Sequence, residues 1–260
     1  MNLPTKTTRV LLFCVLLSLF NCNEKASKNS NEVTYIPRNS YFVDNHQSVK
    51  IYRDNIYRKP MDGHFIVGDK TTKWEEFHIE EGLLYGDYYF YHKNGEVFMH
   101  SIYKKGKLHG QEKTFFLSGK LKKINNYKNG LLEGKCISYF ENGKTLSESE
   151  FNENKLIASI TFNDTGDIES KTYIEEDQSI TQYIKNGKVF KEQIASNYDN
   201  FKGVKFYNDD STLDIYLQMI DEGTETFLVE LNEEGKEIKR INFATSPREI
   251  SKYRKYISSL

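Results

Sequence analysis

Apolar and polar residues alternate along most of this chain, and glycine interrupts the alternation at regular intervals. Gly95, Gly119, Gly143, Gly166 and Gly187 stand 24, 24, 23 and 21 residues apart. They follow Asn94, Ser118, Asn142, Thr165 and Asn186, and such pairs mark tight turns because glycine takes up positive φ without steric cost. Four residues before each anchor stands an aromatic: Tyr91, Phe115, Tyr139, Phe162 and Tyr183. Two residues after it stands a mostly β-branched one: Val97, Leu121, Thr145, Ile168 and Val189. The residue directly after it is always charged: Glu96, Lys120, Lys144, Asp167 and Lys188. Three copies add Tyr103, Tyr127 or Phe151 eight residues on, and second turns follow at Gly106 and Gly130. Each unit therefore reads as strand, tight turn, strand, second turn.

The same spacing predicts the turn type. A two-residue turn would send the leading aromatic and the trailing aliphatic to opposite faces. A three-residue loop closing on a left-handed glycine, with its bulge, shifts the parity by one. Tyr91 then faces Val97, and Phe115 faces Leu121, on one side of the sheet. Burying both together favours the bulged turn. One hairpin is marginal in water, so the hairpins are expected to pair edge to edge into one sheet.

The pattern G-x-x-x-x-[FY]-x-x-x-G, with Gly106 closing Tyr-Lys-Lys-Gly and Gly130 closing Tyr-Lys-Asn-Gly, resembles MORN repeats of the second type, a kind found in YwqK-family antitoxins. The resemblance covers roughly residues 63–190 and is sharpest over 86–157. Afterwards it fades: Asn154 replaces the second-turn glycine, and Ala158 stands where an earlier copy has Gly134. Before it, Gly63, Gly82 and Gly86 outline a degenerate copy with Trp74 in its middle. The resemblance implies an all-β protein, an elongated single-layer antiparallel sheet of tandem hairpins. It also implies a scaffold or binding surface and says little about chemistry.

The flanks complete the expected organisation. Residues 32–62 read as an N-terminal β cap of one or two edge strands, 63–195 as the hairpin repeats, and 196–260 as a C-terminal β segment. Strands are expected at Phe201–Tyr207, Leu213–Ile220, Phe227–Leu231 and Glu237–Phe243. Ser246, Pro247 and Glu249 fit the N-cap, N1 and N3 positions of a capping box. Ile250, Tyr253 and Ile257 follow on one stripe, so a short helix should cap the open end of the sheet.

The first residues carry an address. Lys6 and Arg9 precede the apolar run Val10–Phe20, too short to span a bilayer and suited to a signal peptide over residues 1–21. Leu19-Phe20-Asn21-Cys22 resembles a loose lipobox, which makes Cys22 the expected lipidation site and a bilayer the expected anchor. Residues 22–31 read as a flexible tether. The expected location is a bacterial cell envelope, lipid-anchored, at the outer membrane and facing periplasm or surface. With Cys14 removed and Cys22 acylated, Cys136 remains alone, so no internal disulfide can form, and its expected role is a small buried hydrophobe.

Composition narrows the function classes. Apolar residues make up 38% and aromatics 14% of the chain, so a large share of the apolar inventory is aromatic, as in half-buried pleated surfaces. Net charge is −1, which gives no overall pull toward nucleic acid. Segment 86–157 is locally basic, with 12 Lys against 8 acidic residues. Export argues against nucleic acid there and leaves anionic headgroups as the attractive counterpart. Residues 209–235 hold nine acidic residues and no Lys or Arg, either a solvated face or a docking patch. His46, His64, His78, His92, His100 and His109 show no ligand spacing, so no metal is expected. No nucleophile elbow, phosphate loop or dinucleotide motif is present, and neither enzyme activity nor a cofactor is expected. The expected protein is a monomeric scaffold with an unknown protein partner. An envelope immunity protein that neutralises a toxin, and a glycan- or lipid-binding protein, are the alternatives.

Overall fold

Period-two alternation cut by left-handed turns produces strands almost throughout. The computed structural model describes residues 32–46 and 49–258. The expected signal segment 1–21, the expected lipidation site Cys22 and the expected tether 22–31 lie outside the described residues. Three strands precede the repeats: β1 (Val33–Ile36), β2 (Tyr41–His46) and β3 (Val49–Asp54). The degenerate first copy supplies β4 (Gly63–Gly68) and β5 (Lys73–Glu80). The repeats follow as β6 (Leu83–Tyr91), β7 (Val97–Lys104), β8 (Lys107–Phe115), β9 (Leu121–Lys128), β10 (Leu131–Leu132) and β11 (Gly134–Tyr139). They continue as β12 (Thr145–Asn152), β13 (Lys155–Phe162), β14 (Ile168–Glu175), β15 (Gln178–Lys185) and β16 (Lys188–Ser196). The C-terminal segment adds β17 (Lys202–Tyr207), β18 (Leu213–Glu222), β19 (Glu225–Leu231) and β20 (Glu237–Asn242), the four strands its alternation predicts.

Eighteen strands form one sheet. From β4 to β20 each pairs antiparallel with its neighbour in sequence, β10 and β11 sharing one lane beside β9. The exception is β1, which runs parallel to β4, so the sheet is mixed and not wholly antiparallel. Its connection to β4 passes through β2 and β3, a crossover long enough to bring the chain back in the same direction. β2 and β3 form a hairpin of their own that crosses one face of the sheet. The N-terminal cap is thus three strands, where one or two edge strands are expected from sequence.

The bulged turn forms at four anchors. In the first, the His92 amide donates to the Glu96 carbonyl at 2.8 Å and the Gly95 amide to the His92 carbonyl at 3.0 Å. Gly95 has φ 87°, a left-handed conformation that glycine adopts freely. Tyr91 consequently pairs with Val97, and Phe115–Leu121, Tyr139–Thr145 and Phe162–Ile168 repeat the geometry. The fifth anchor differs. Asn186 and Gly187 are both left-handed and make a two-residue turn, so Val189 opposes Ile184, not Tyr183. The aromatic and the aliphatic part there to opposite faces.

Both edges of the sheet lock repeat to repeat. Along one, the amides of Gly106, Gly130 and Asn154 donate to the carbonyls of Leu84, Leu108 and Leu132. Along the other, Lys120 Nζ donates to the Glu141 carbonyl at 3.0 Å and Lys144 Nζ to the Asp164 carbonyl at 2.9 Å. Lys188 reaches the Asp209 carbonyl likewise. The charged residue after the anchor is therefore a strap to the next turn at these three positions.

Packing is concentrated at the two ends. We call the face carrying Phe77, Tyr88 and Ser101 the front. At the N-terminal end the β2–β3 hairpin covers it, and Tyr41 and Tyr52 pack on Phe77 with ring centroids 5.6 Å away. Tyr41 and Tyr88 both donate to Glu75, at 2.9 and 2.7 Å, which pins the cover to the sheet. At the C-terminal end two short helices, α1 (Pro247–Ser251) and α2 (Arg254–Ile257), lie over Leu217, Leu228 and Ile241. Ile194, Tyr216, Val229 and Leu231 form a second C-terminal cluster, which by strand alternation lies on the back. Between Ser101 and Ile194 the only buried side chains are Asn125 and Cys136.

The cap departs from the expected single helix. Ser246 holds the N-cap position, but its side chain makes no capping bond, and Glu249 turns instead to Lys239 at 2.9 Å and Lys252 at 2.8 Å. With that carboxylate engaged elsewhere the capping box does not close, and the helix breaks at Tyr253 (φ −97°, ψ 6°). Ile250, Tyr253 and Ile257 pack on the core as their stripe predicts, joined by Tyr256, and they cover a face of the sheet rather than its edge.

Candidate binding surface

Alternation and register divide the central strands into two surfaces. On the front one row crosses the sheet through Ser101, Glu112, Asn125, Cys136, Ser149, Ser159, Thr172, Thr181 and Gln193. On the back lie the aromatic–aliphatic pairs of the bulged turns, and beside them Ile124, Ile137 and Ile160.

The front is polar and hydrogen-bonded. Glu112 accepts from Ser101 Oγ at 3.1 Å and Asn125 Nδ2 at 3.4 Å. Burial, and then the Glu112 charge, pushes the Tyr103 phenol up to about 12. Tyr127 is raised by the same two causes in the same order. Further along, hydroxyls pair across strands: Ser149 with Ser159 at 2.9 Å, Thr161 with Ser170 at 2.7 Å and Thr172 with Thr181 at 3.0 Å. This row is visible in the sequence only as Ser/Thr doublets at alternate positions of successive strands: Ser147 and Ser149, Ser159 and Thr161, Ser170 and Thr172.

The back mixes isoleucines with Lys113, Glu148 and Lys171 in its centre and is polar toward its N-terminal end. There Glu76 faces His64 Nε2 at 3.1 Å and accepts from Lys73 at 3.1 Å and from the Tyr91 hydroxyl at 3.0 Å. Burial raises its pKa, but the bonds from Lys73 and Tyr91 outweigh it and hold the carboxyl below its ordinary range. His100 stacks on Tyr89 with centroids 4.4 Å apart and bonds Asp87 at 2.6 Å.

The other candidate residues find mostly structural roles. His64 and His78 have ring centroids 6.4 Å apart, His92 packs edge-on against Phe98, and His109 accepts from the Asn129 amide. His46 ends β2. Among the described residues no group of three His, Cys, Asp or Glu has metal-holding geometry. Cys136 is free and buried beside Asn125. Much of the acidic segment 209–235 docks its own surroundings: Asp214 accepts from Tyr256, Glu230 from Tyr253, and Glu222 from Arg240. Among the 12 Lys of segment 86–157, Lys135 alone forms an ion pair between described residues, with Glu148 at 2.7 Å.

A sheet of strapped hairpins with no described element over either face at its centre defines a class of protein, the β-hairpin repeat module. Residues 108–129 and 132–153 match the MORN repeat variant family, inside the stretch where the sequence pattern is sharpest. Such repeats mark a protein- or membrane-binding module. No curated protein matches the chain.

Proposed function

We propose that the chain is a lipid-anchored scaffold of a bacterial cell envelope whose bare back face holds a protein partner. The observation that carries this reading is the stripe of half-buried apolar side chains Phe115, Leu121, Ile124, Ile137, Ile160 and Phe162, interrupted by Glu148 between Ile137 and Ile160, over which no other described element packs. Apolar side chains grouped on one face and rimmed by charge, here Lys113 and Glu148, suit an interaction site. The stripe repeats a few side chains at fixed spacing, so a partner with a matching flat face would be held at many weak points. No step in this reading requires catalysis, a metal or a cofactor. Cys22 provides the anchor and residues 22–31 the reach.

Two measurements test it. The full-length chain is used as bait on detergent-solubilised envelope, beside an Ile137→Glu variant that places a charge in the stripe. A stoichiometric protein retained by the wild type and lost by the variant is expected, and a toxin in that position would make the chain its immunity protein. Retention of no protein, or equal retention by both baits, rejects the back-face reading. In parallel, a palmitate analogue should label the wild type and not Cys22→Ala; label on the variant rejects the anchor.

A further inference from the structure

We propose that the open centre of the front face binds a linear, uncharged β-1,4-linked polysaccharide laid across the strands. This site is separate from the protein-binding back face and does not depend on it. Three features of the surface converge on that chemistry.

The first is charge. Over β11 to β15 the two central front rows hold Ser, Thr, the Cys136 thiol and the Tyr183 phenol, and no charged side chain. A floor without charge, in a segment where acidic residues outnumber lysines and with Lys123 and Lys191 only at its two ends, gives anionic headgroups and phosphodiesters nothing within it to pair with. It suits a polyol. The second is hydrogen-bonding capacity. Each hydroxyl has one donor and two acceptor sites, and a cross-strand pair uses one donor and one acceptor. The pairs Ser149–Ser159, Thr161–Ser170 and Thr172–Thr181 therefore each retain one O–H donor and several lone pairs for a ligand. Such pairs also brace the strands. Bracing does not account for the third feature.

That feature is the aromatic margin. Tyr127 and Phe151 stand on the front at the second-turn side of the β9–β12 end of these rows, on strands two lanes apart, while Tyr103 two lanes further back packs on Tyr88 and belongs to the covered N-terminal core. Two interstrand spacings amount to about 10 Å, the length of one disaccharide in an extended β-1,4-linked chain. Gly134 opposes Phe151 on the neighbouring strand, and a side chain there would meet nothing within 4 Å, so the Phe151 ring keeps an open flank. A pyranose face can lie on Phe151 while its hydroxyls reach Ser149 and Ser159, with the next sugar extending toward Tyr127. The β2–β3 hairpin and the α1–α2 cap close the front at either end and leave the middle clear.

Isothermal titration of the full-length chain in a sugar-free detergent tests this, with cellohexaose and the β-1,4-N-acetylglucosamine hexamer as probes. The expected result is saturable binding of at least one probe. A Ser159→Ala, Thr172→Val double variant should weaken it at least fivefold, and Ile137→Glu should leave it unchanged. Circular dichroism confirms that each variant folds. No binding of either probe at millimolar concentration overturns the proposal, as does equal affinity in the double variant. A protein in the envelope pull-down that is lost with the double variant but kept by Ile137→Glu would also overturn it, by assigning the front to a protein. Since the back-face variant reads out separately, either site can fail alone.

Discussion

Phe77 and Phe115 both sit on strands of hairpin units, yet they live in different solvents. Phe77 is wholly buried, ringed by Tyr41, Tyr52, Phe65 and Tyr88. Phe115 is half-buried and meets Leu121 across the bulged turn. The backbone around the two is alike, paired on both sides and closed by left-handed turns. The difference comes from outside the repeat, since a hairpin crosses over Phe77 on the front and no described element crosses over Phe115 on the back. In this chain the repeats set the sheet, and non-repeat segments decide where the sheet becomes a core. The centre is consequently held by its neighbours, by backbone ladders and by the turn straps, and no described element packs over its faces.

The sharpest way to break that comparison is to remove both rings. Phe77→Ala should cost about 3–5 kcal/mol, the usual loss for a fully packed phenylalanine. Phe115→Ala should cost only about 1–2 kcal/mol, because less apolar area leaves water there. Urea unfolding checks both. Trp74, the sole tryptophan, lies under Arg38 near the N-terminal core and reports that end by fluorescence. Equal losses would mean that the centre packs as tightly as the end.

A second effect is confined to the C-terminal end. The bonds from Lys252 and Lys239 hold Glu249 down to about 2, and the Tyr256 hydroxyl lowers Asp214. Both folded-state pKa values lie below the ordinary ones, so the stability these groups provide is complete above the ordinary carboxylate range. It is lost as pH falls through that range toward about 2. Residues 246–258 should therefore become open to proteolysis at about pH 3 while the central strands stay protected. Equal protection of that segment at about pH 3 and about pH 6 would show that apolar packing alone holds the cap.

Much of the fold was legible because the repeat writes it several times. The anchors, the leading aromatics and the trailing aliphatics are local, and they predict four of the five turns; alternation alone predicts the four C-terminal strands. The fifth turn was not legible. Asn186-Gly187 looks like the other pairs, and only the register of β15 against β16 shows the shorter loop. The parallel β1, the hairpin over Phe77 and the broken cap helix each depend on contacts between distant residues. Glu249 illustrates this: beside Ser246 it reads as a capping box, and Lys239 on the sheet claims it instead. Neither face of the candidate surface was named from sequence. The Ser/Thr doublets were present, but a doublet becomes a row only when strand register is known.

Asn154 gives the finest test of what separates a faded repeat from an intact one. In sequence it breaks the pattern, because Gly106 and Gly130 hold its place in earlier copies. In structure it keeps their function. Its φ is 70°, and its amide donates to the Leu132 carbonyl at 3.0 Å, as theirs do to Leu84 and Leu108. Its side chain adds a bond the glycines cannot make: Oδ1 accepts from the Leu132 amide at 2.7 Å. A left-handed non-glycine residue is strained, although asparagine bears it better than most. Asn154→Gly should relieve that strain and lose the bond, leaving stability within about 0.5 kcal/mol of wild type. Asn154→Ala keeps the strain and loses the bond, and should cost about 1–2 kcal/mol. The two urea midpoints decide the matter. If alanine is tolerated as well as glycine, this turn no longer needs its left-handed residue and the copy is decaying. If alanine alone is costly, asparagine has taken over the work of glycine.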